Sequence, residues 1–109
     1  MPSHYADTFK QRLHVRHYQS VNARGEEQYG AATPYSCRSE SFNRLVRAAD
    51  GNQVVAGTRI FTEAPITVKD LVFPPGADPA DIGQSQKALK VDEAVDLETG
   101  LVDHYEVYL

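Results

Sequence analysis

Residues 35–63, YSCRSESFNRLVRAADGNQVVAGTRIFTE, decide the fold. The Asp-Gly-Asn sequence at 50–52 indicates a turn, because glycine and asparagine adopt positive φ at little cost. The arm after the turn, 53–63, is rich in the β-branched and aromatic residues that suit a pleated surface. The stretch therefore predicts a long β-hairpin made of residues 35–48 and 53–63.

The first arm of this hairpin alternates imperfectly between apolar and polar residues. Phe42 falls on the even positions, whereas Leu45 and Val46 are adjacent, as they are around a bulge or bend. We expect a long, bent strand here, with a short helix over 41–48 as the alternative. Gly57 in the second arm is a candidate for another bulge.

Upstream of the hairpin, residues 10–20 read KQRLHVRHYQS. Leu13, Val15 and His17 recur with period two, which predicts a strand. Residues 21–34 are polar and glycine-containing and have no sustained period. They are interpreted as a long exposed loop.

Downstream of the hairpin, four prolines between residues 64 and 83 limit regular structure, because each removes a backbone donor. A short extended piece is predicted at 66–73, followed by a long loop at 74–86. Residues 87–95 and 101–109 alternate again and predict two strands joined by a tight turn. Leu101 and the alternate residues that follow it are expected to share one face, and the last strand to be held inside the sheet.

Several short strands, frequent turn signals and no repeat favour an all-β fold. We expect a small closed or partly open antiparallel β-barrel or sandwich with long loops. The 109 residues suit a single domain, 1–109, with residues 1–9 as an N-terminal arm. Closure of the sheet would cover its edges.

The composition is that of an ordinary folded protein, with 41% apolar and 24% charged residues. Apolar runs are only a few residues long, which excludes a membrane-spanning helix. No secretion signal is readable, so we expect synthesis and residence in a cytoplasm. The single cysteine, Cys37, excludes an intrachain disulfide.

The charge is unevenly distributed along the chain, which has a net charge of −4. Residues 1–49 carry 7 basic and 4 acidic groups, and residues 50–109 carry 4 basic and 11 acidic groups, giving +3 against −7. Complementary potentials steer association. The asymmetry therefore fits head-to-tail contact between copies, although a scattered, solvated surface would give the same count.

The four histidines do not predict a metal site. His14 and His17 form an H-x-x-H pair, but residues three apart on a strand point to opposite faces, so one ion cannot bind both. His4 and His104 belong to no recognisable ligand motif. We expect no metal and no cofactor.

Enzyme activity is not expected either. Neither Ser36 nor Cys37 lies in a nucleophile-elbow sequence. Acidic pairs occur at 26–27, 92–93 and 96/98. We expect them at solvated strand edges and turns rather than in general acid–base catalysis. No glycine-rich phosphate loop is present.

A nucleic-acid-binding barrel is the alternative from another functional class. Several arginines and two aromatic residues could form a basic face on which bases stack: Arg12, Arg16, Arg38, Arg44, Arg47, Tyr18 and Phe42. The pI near 5.5 weighs against tight phosphate binding.

The order and spacing of several short segments resemble a known family. They are LHVRHY (13–18), EQYG (27–30), YSCRSE (35–40), the Asp-Gly-Asn turn followed by QVVAGTRIF (53–61), KDLVFPPG (69–76) and HYEVYL (104–109). In this order they resemble the head-closure proteins of long-tailed phages, also called stopper or head–tail joining proteins. The resemblance rests on the order and spacing of these segments rather than on any single segment.

The resemblance implies a structural role in the virion neck. A protein of this family is a small β-barrel that assembles as a ring, here expected to have six or twelve copies. The ring binds portal and adaptor proteins, closes the DNA-filled capsid and docks the tail. Packaged DNA passes through it, or is retained, without specific binding. A tail-terminator or minor capsid protein is the near alternative.

Five residues are candidates for assembly or for facing the channel. Tyr29, Arg38 and Phe73 lie in the segments that carry the resemblance. Asp78 and Asp81 lie in an acidic stretch that would repel phosphates, so we place them near the channel or a neighbouring subunit.

Overall fold

A computed structural model describes residues 9–109 of the chain. It confirms the all-β class: a curled antiparallel sheet of six strands forms a half-barrel. The strands of the described part are β1 (Gln11–Arg16), β2 (Tyr18–Val21), β3 (Glu27–Tyr29), β4 (Thr33–Arg47), β5 (Gln53–Thr62), β6 (Leu71–Phe73), β7 (Lys90–Val95) and β8 (Val102–Tyr108).

The main sheet has the order β6-β1-β4-β5-β8-β7, and β2 and β3 pair separately as a ribbon. The sheet is open rather than closed, so β6 and β7 lie at its two edges. Val72, within β6, also forms an isolated bridge with Gln86. Of the closed and partly open alternatives, the chain takes the partly open one.

The central hairpin of β4 and β5 forms as the sequence predicts. Its register shifts between Ser41 and Arg44. Two residues of β4 lie there opposite Gly57, so the extra residue belongs to β4 and Gly57 faces the bulge. Asn43 takes a positive φ of 50° at this point, and the segment is strand rather than helix.

The prediction of one long loop at 21–34 is wrong, because part of this segment pairs with β2. The Asn22 side chain accepts hydrogen bonds from the backbone N–H groups of Arg24 and Glu26, and Gly25 has a φ of 83°. These features make a tight turn between β2 and β3. The two strands are short and polar, so their sequence carries no alternation that would reveal them.

Two other boundaries differ from those predicted. The strand expected over 10–20 is interrupted at His17, where β1 ends and β2 begins. Only Leu71–Phe73 of the extended piece expected at 66–73 is a strand, because residues 67–70 form a turn closed by an Asp70 N–H to Thr67 C=O bond. The loop at 74–86 is present and contains one 3₁₀ turn, Ile82–Gln84, capped by Asp81.

The core lies on the inner face of the half-barrel. The main buried apolar cluster comprises Leu13, Val15, Cys37, Ile60, Ala64, Ile66, Val72, Ala88, Val107 and Leu109. A smaller cluster comprises Val46, Ala56 and Tyr108. Leu101, expected to share one face with the alternate residues that follow it, lies before β8 and is 63% exposed, because this end of the β7–β8 hairpin extends beyond the core.

The last strand lies inside the sheet, between β5 and β7, as predicted. Leu109 donates its N–H to the Thr58 carbonyl at 2.9 Å, and its own carbonyl accepts from Gly57 N–H at 2.9 Å. The arm expected at 1–9 lies outside the described residues except for Phe9, which is buried. In the part of the chain that is described, no helix is long and apolar enough to cross a membrane.

Candidate interaction surface

An open cleft of about 660 Å³ lies where the β7–β8 turn borders the outer face of the sheet. The strand register places Arg38 on β4, Phe61 on β5 and Glu106 on β8 side by side in one row across this face. These residues line the cleft together with the turn. The cleft thus has a floor made by the sheet and a wall made by the turn.

Arginine side chains cover the aromatic floor. The Arg38 guanidinium lies 4.5 Å from the centre of the Phe61 ring, and Arg59 lies 4.9 Å from the same ring. Arg59 also forms an ion pair with Glu40, which raises the pKa of the guanidinium. The Arg38 Nε is buried and has no hydrogen-bond partner among the described residues. The ring faces are therefore occupied by cations from the chain itself.

The wall of the cleft is acidic. His104, which is buried, lies with its Nδ1 2.8 Å from an Asp103 carboxylate oxygen and its Nε2 3.7 Å from one of Glu106. Asp96 and Glu98 line the cleft from the turn. Residues 91–109 contain six carboxylates and no lysine or arginine. The β7–β8 hairpin therefore carries a net negative charge, whereas the floor of the cleft carries Arg38.

Apolar side chains stand exposed in the same turn. Leu97 is 98% exposed and Leu101 is 63% exposed, and both flank the tight turn between β7 and β8. Val95 and Val102 beside them are also exposed. Single exposed apolar residues are common, but a contiguous group marks a contact surface. The cleft thus combines an acidic wall with an apolar rim.

The tip of the β4–β5 hairpin carries a second exposed apolar pair. Leu45 and Val55 lie opposite each other in the register and are 66% and 62% exposed. Arg44 and Arg47 are both exposed. Arg47 shares the strand face of Leu45, whereas Arg44 lies on the opposite face, with its guanidinium 5.5 Å from the centre of the Phe42 ring. Residues 43–56 carry these two arginines and one acidic residue, Asp50, so the tip is basic.

The tip and the cleft lie at opposite ends of the sheet. Thr62, at the end of β5, pairs with Tyr105 of β8, so residues 96–101 lie beyond the end of β5 that is far from the hairpin tip. The path from Val55 along β5 and on to Leu101 is eleven residue steps of about 3.3 Å, or roughly 35 Å. One molecule thus has a basic apolar end and an acidic apolar end.

The five residues singled out from the sequence are distributed over β3, β4, β6 and the loop that follows β6. Tyr29, on β3, donates to the Glu27 carboxylate, and burial together with this bond raises the pKa of its phenol. Lys87 binds the same carboxylate at 2.8 Å and lowers the pKa of Glu27. Tyr29 therefore belongs to the contact that holds the β2–β3 ribbon against residue 87.

The remaining candidates differ in accessibility. Phe73 is fully buried, so its side chain packs inside the fold and is not presented to a partner or a channel. Asp78 and Asp81 are exposed, and each carboxylate accepts a backbone N–H two residues ahead, from Ala80 and Gly83. Arg38 lies at the cleft. We retain Arg38, Asp78 and Asp81 as surface candidates.

A partly buried polar cluster that sequence reasoning missed joins His17, Asp70 and Tyr35. His17 Nδ1 lies 3.2 Å from Asp70 Oδ2, and its Nε2 lies 2.8 Å from the Tyr35 hydroxyl. A phenol, an imidazole and a carboxylate in line resemble a proton relay. Asp70, however, also accepts backbone N–H groups of Tyr18 and Thr67 at 2.8 and 2.9 Å, so the cluster ties the break after β1 to the turn at 67–70.

The cleft, too, was missed, although a signal was present. Apolar residues at 95, 97, 101 and 102 within an acidic turn segment are unusual for a solvated turn and could have indicated a contact surface. Across residues 9–109 no group of three or more His, Cys, Asp or Glu side chains is arranged to hold a metal ion. No protein-family model, curated protein or solved structure matches this chain.

Proposed function

We propose that this chain is a structural protein of a phage neck that assembles as a ring between the portal–adaptor complex and the tail. The ring closes the DNA-filled capsid and docks the tail, and it contains six or twelve copies. One observation carries the assembly part of the proposal: two exposed apolar patches of opposite charge lie at opposite ends of one sheet. The resemblance in segment order supports the neck as the place of assembly.

The polar clusters of the chain fit a structural role better than a chemical one. Asp70 accepts two backbone donors besides its contact with His17, and the Cys37 thiol is buried, which raises its pKa to about 11. A catalytic nucleophile needs an accessible group of lowered pKa or an adjacent base. We therefore propose a role without covalent chemistry.

The acidic loop suits a ring through which DNA passes. Asp78 and Asp81 are exposed on the loop at 74–86, where like charge repels the phosphate backbone. A channel wall that bound DNA tightly would hinder its movement. We place this loop near the channel or a neighbouring subunit.

A single-strand-binding barrel is the second candidate, because arginines and aromatic rings share the outer face of the sheet. Arg59 lies 4.8 Å from the Phe42 ring centre and 4.9 Å from that of Phe61. Stacking of a base would have to displace these cations. Fluorescence titration with a labelled oligonucleotide at low and high salt tests this candidate; tight, salt-sensitive binding would favour it over the neck role.

The decisive experiment is light-scattering chromatography of the chain at several concentrations, alone and mixed with the portal–adaptor complex of the same virus. We expect a ring on its own, or recruitment of six or twelve copies to that complex. Recruitment to isolated tail tubes instead would favour the tail-terminator alternative. A monomer that binds neither would contradict the proposal.

A further inference from the structure

The two exposed apolar ends of the molecule complement each other. The hairpin tip presents Leu45 and Val55 on the strand face that Arg47 shares, whereas Leu97 lines the cleft among carboxylates and Leu101 stands in the turn beside it. Each patch alone is not self-complementary, because a tip against a tip would oppose arginines and a cleft against a cleft would oppose carboxylates. Like charges facing each other across an interface are unfavourable.

We infer that the β4–β5 hairpin tip of one copy docks at the acidic cleft of the next copy. In this contact Leu45 and Val55 pack against the apolar rim at Leu97 and Leu101. Arg47, on the same strand face as Leu45, then faces carboxylates of the cleft wall, and Arg44 adds positive charge to the same end of the molecule. The inference rests on the proposed function. It names the two surfaces that meet between neighbouring copies of the proposed ring and states that the contact runs head to tail.

The dimensions of the two patches agree with this contact. A two-stranded ribbon has strands about 5 Å apart, and its tip is correspondingly narrow. The cleft of about 660 Å³ lies within the range of roughly 300–1,000 Å³ that takes up small ligands, so it has room for a few side chains. The apolar pair at the tip is small enough to enter.

The contact is heterologous, since it joins two different patches. Such contacts generate a ring when the rotation between neighbours closes and an open filament when it does not. Because the patches lie at opposite ends of the sheet, each copy can contact two neighbours at once. A two-fold dimer would instead use one patch twice.

Cross-linking between variants that each carry one added cysteine tests the direction of the contact. L45C and L97C place a thiol at each end, at side chains that are 66% and 98% exposed. A mixture of the two, treated with a short bis-maleimide, should give a covalent dimer, whereas each variant alone should give none. The L45C/L97C double variant should give a ladder of oligomers. Cys37 is buried and its pKa is raised to about 11, so it stays unlabelled.

The matched control is I82C, which places a thiol at another exposed apolar residue, outside both patches. Equal cross-linking of L45C with I82C, or dimers of L45C alone, would overturn the inference. So would a mixture of L45C and L97C that gives no dimer.

Charge reversal separates failure of the inference from failure of the proposed function. R44E/R47E and D96K/E98K should each lose assembly in light scattering, and a mixture of the two should regain it. Circular dichroism checks that each variant is folded. If the wild type assembles and both reversed variants assemble equally well, the inference fails while the ring stands. If the wild type neither assembles nor is recruited to the portal–adaptor complex, both fail.

Discussion

Asp70 is the polar residue on which the local fold depends most. It is 3% exposed and accepts the backbone N–H groups of Tyr18 and Thr67. Asp70→Ala would leave two partly buried donors without this acceptor, at roughly 1–2 kcal/mol each. We expect urea unfolding to show a loss of about 2–4 kcal/mol. Asp70→Asn, which keeps one acceptor oxygen, should lose less.

Glu26→Ala is the control for this prediction, because Glu26 is exposed in the β2–β3 turn. Its unfolding free energy should stay within about 0.5 kcal/mol of the wild type. Equal stability of Asp70→Ala and Glu26→Ala would show that the cluster contributes nothing to the fold.

Cys37 should be unreactive while the chain is folded. Burial of the thiol raises its pKa from the ordinary 9.0 to about 11, and each pKa unit is a factor of ten in the thiolate fraction. At pH 8 the folded chain therefore holds about 100-fold less thiolate than the unfolded chain. A colorimetric thiol reagent should label Cys37 at least that much more slowly in buffer than in urea. Equal rates would show that the core around β4 is open.

Among the elements, the bulge in β4 depends on the conformation of Asn43. Its φ of 50° lies in the left-handed region, which asparagine and glycine tolerate and β-branched residues do not. Asn43→Val should lower the unfolding free energy by about 1–2 kcal/mol. Asn43→Gly is the matched control and should leave it nearly unchanged. If both variants behave alike, side-chain contacts rather than backbone strain govern the bulge.

The strand β8 holds two neighbours together, since it pairs with β5 on one side and β7 on the other. Deletion of residues 105–109 removes every pair between β8 and β5, four of the six pairs between β8 and β7, and the buried side chains of Val107 and Leu109. This loss should exceed the total stability of roughly 5–15 kcal/mol for a small domain, so circular dichroism should show no folded state.

Leu109→Ala is the control for the truncation, because it removes one buried side chain without removing the strand. It keeps the backbone bonds to Gly57 and Thr58 and should cost about 2–3 kcal/mol, leaving a folded chain with a lower urea midpoint. A truncated chain with a cooperative unfolding transition would contradict the prediction.

For the whole molecule, the charged ends predict that assembly depends on salt. The screening length falls from about 10 Å at 0.1 M salt to about 3 Å at 1 M. Because the proposed contact pairs arginines with carboxylates, we expect self-association to weaken about tenfold over this range. Light scattering over a concentration series at both salt levels measures it. Stronger association at high salt would mean that apolar burial dominates the contact.

Local chemistry in the sequence was enough to predict much of the fold. Turn residues at 50–52 and β-forming residues on both sides gave the central hairpin, and the alternation at 101–109 gave the last strand. The turn can be predicted because glycine and asparagine favour turns through their own backbone preferences. The strand can be predicted because alternation of apolar and polar residues indicates that one face of it is buried. The β2–β3 ribbon was missed, since its short polar strands bury neither face.

The sequence by itself thus determined the all-β class, the main hairpins and the asymmetric distribution of charge. Only the tertiary structure decided that the sheet stays open, that Phe73 is buried, and that His17, Tyr35 and Asp70 meet. It also decided that the basic tip and the acidic cleft lie at opposite ends. The physical reason is that these features depend on strand order and register, which join residues far apart in the chain, whereas turn and strand patterns act over a few neighbouring residues.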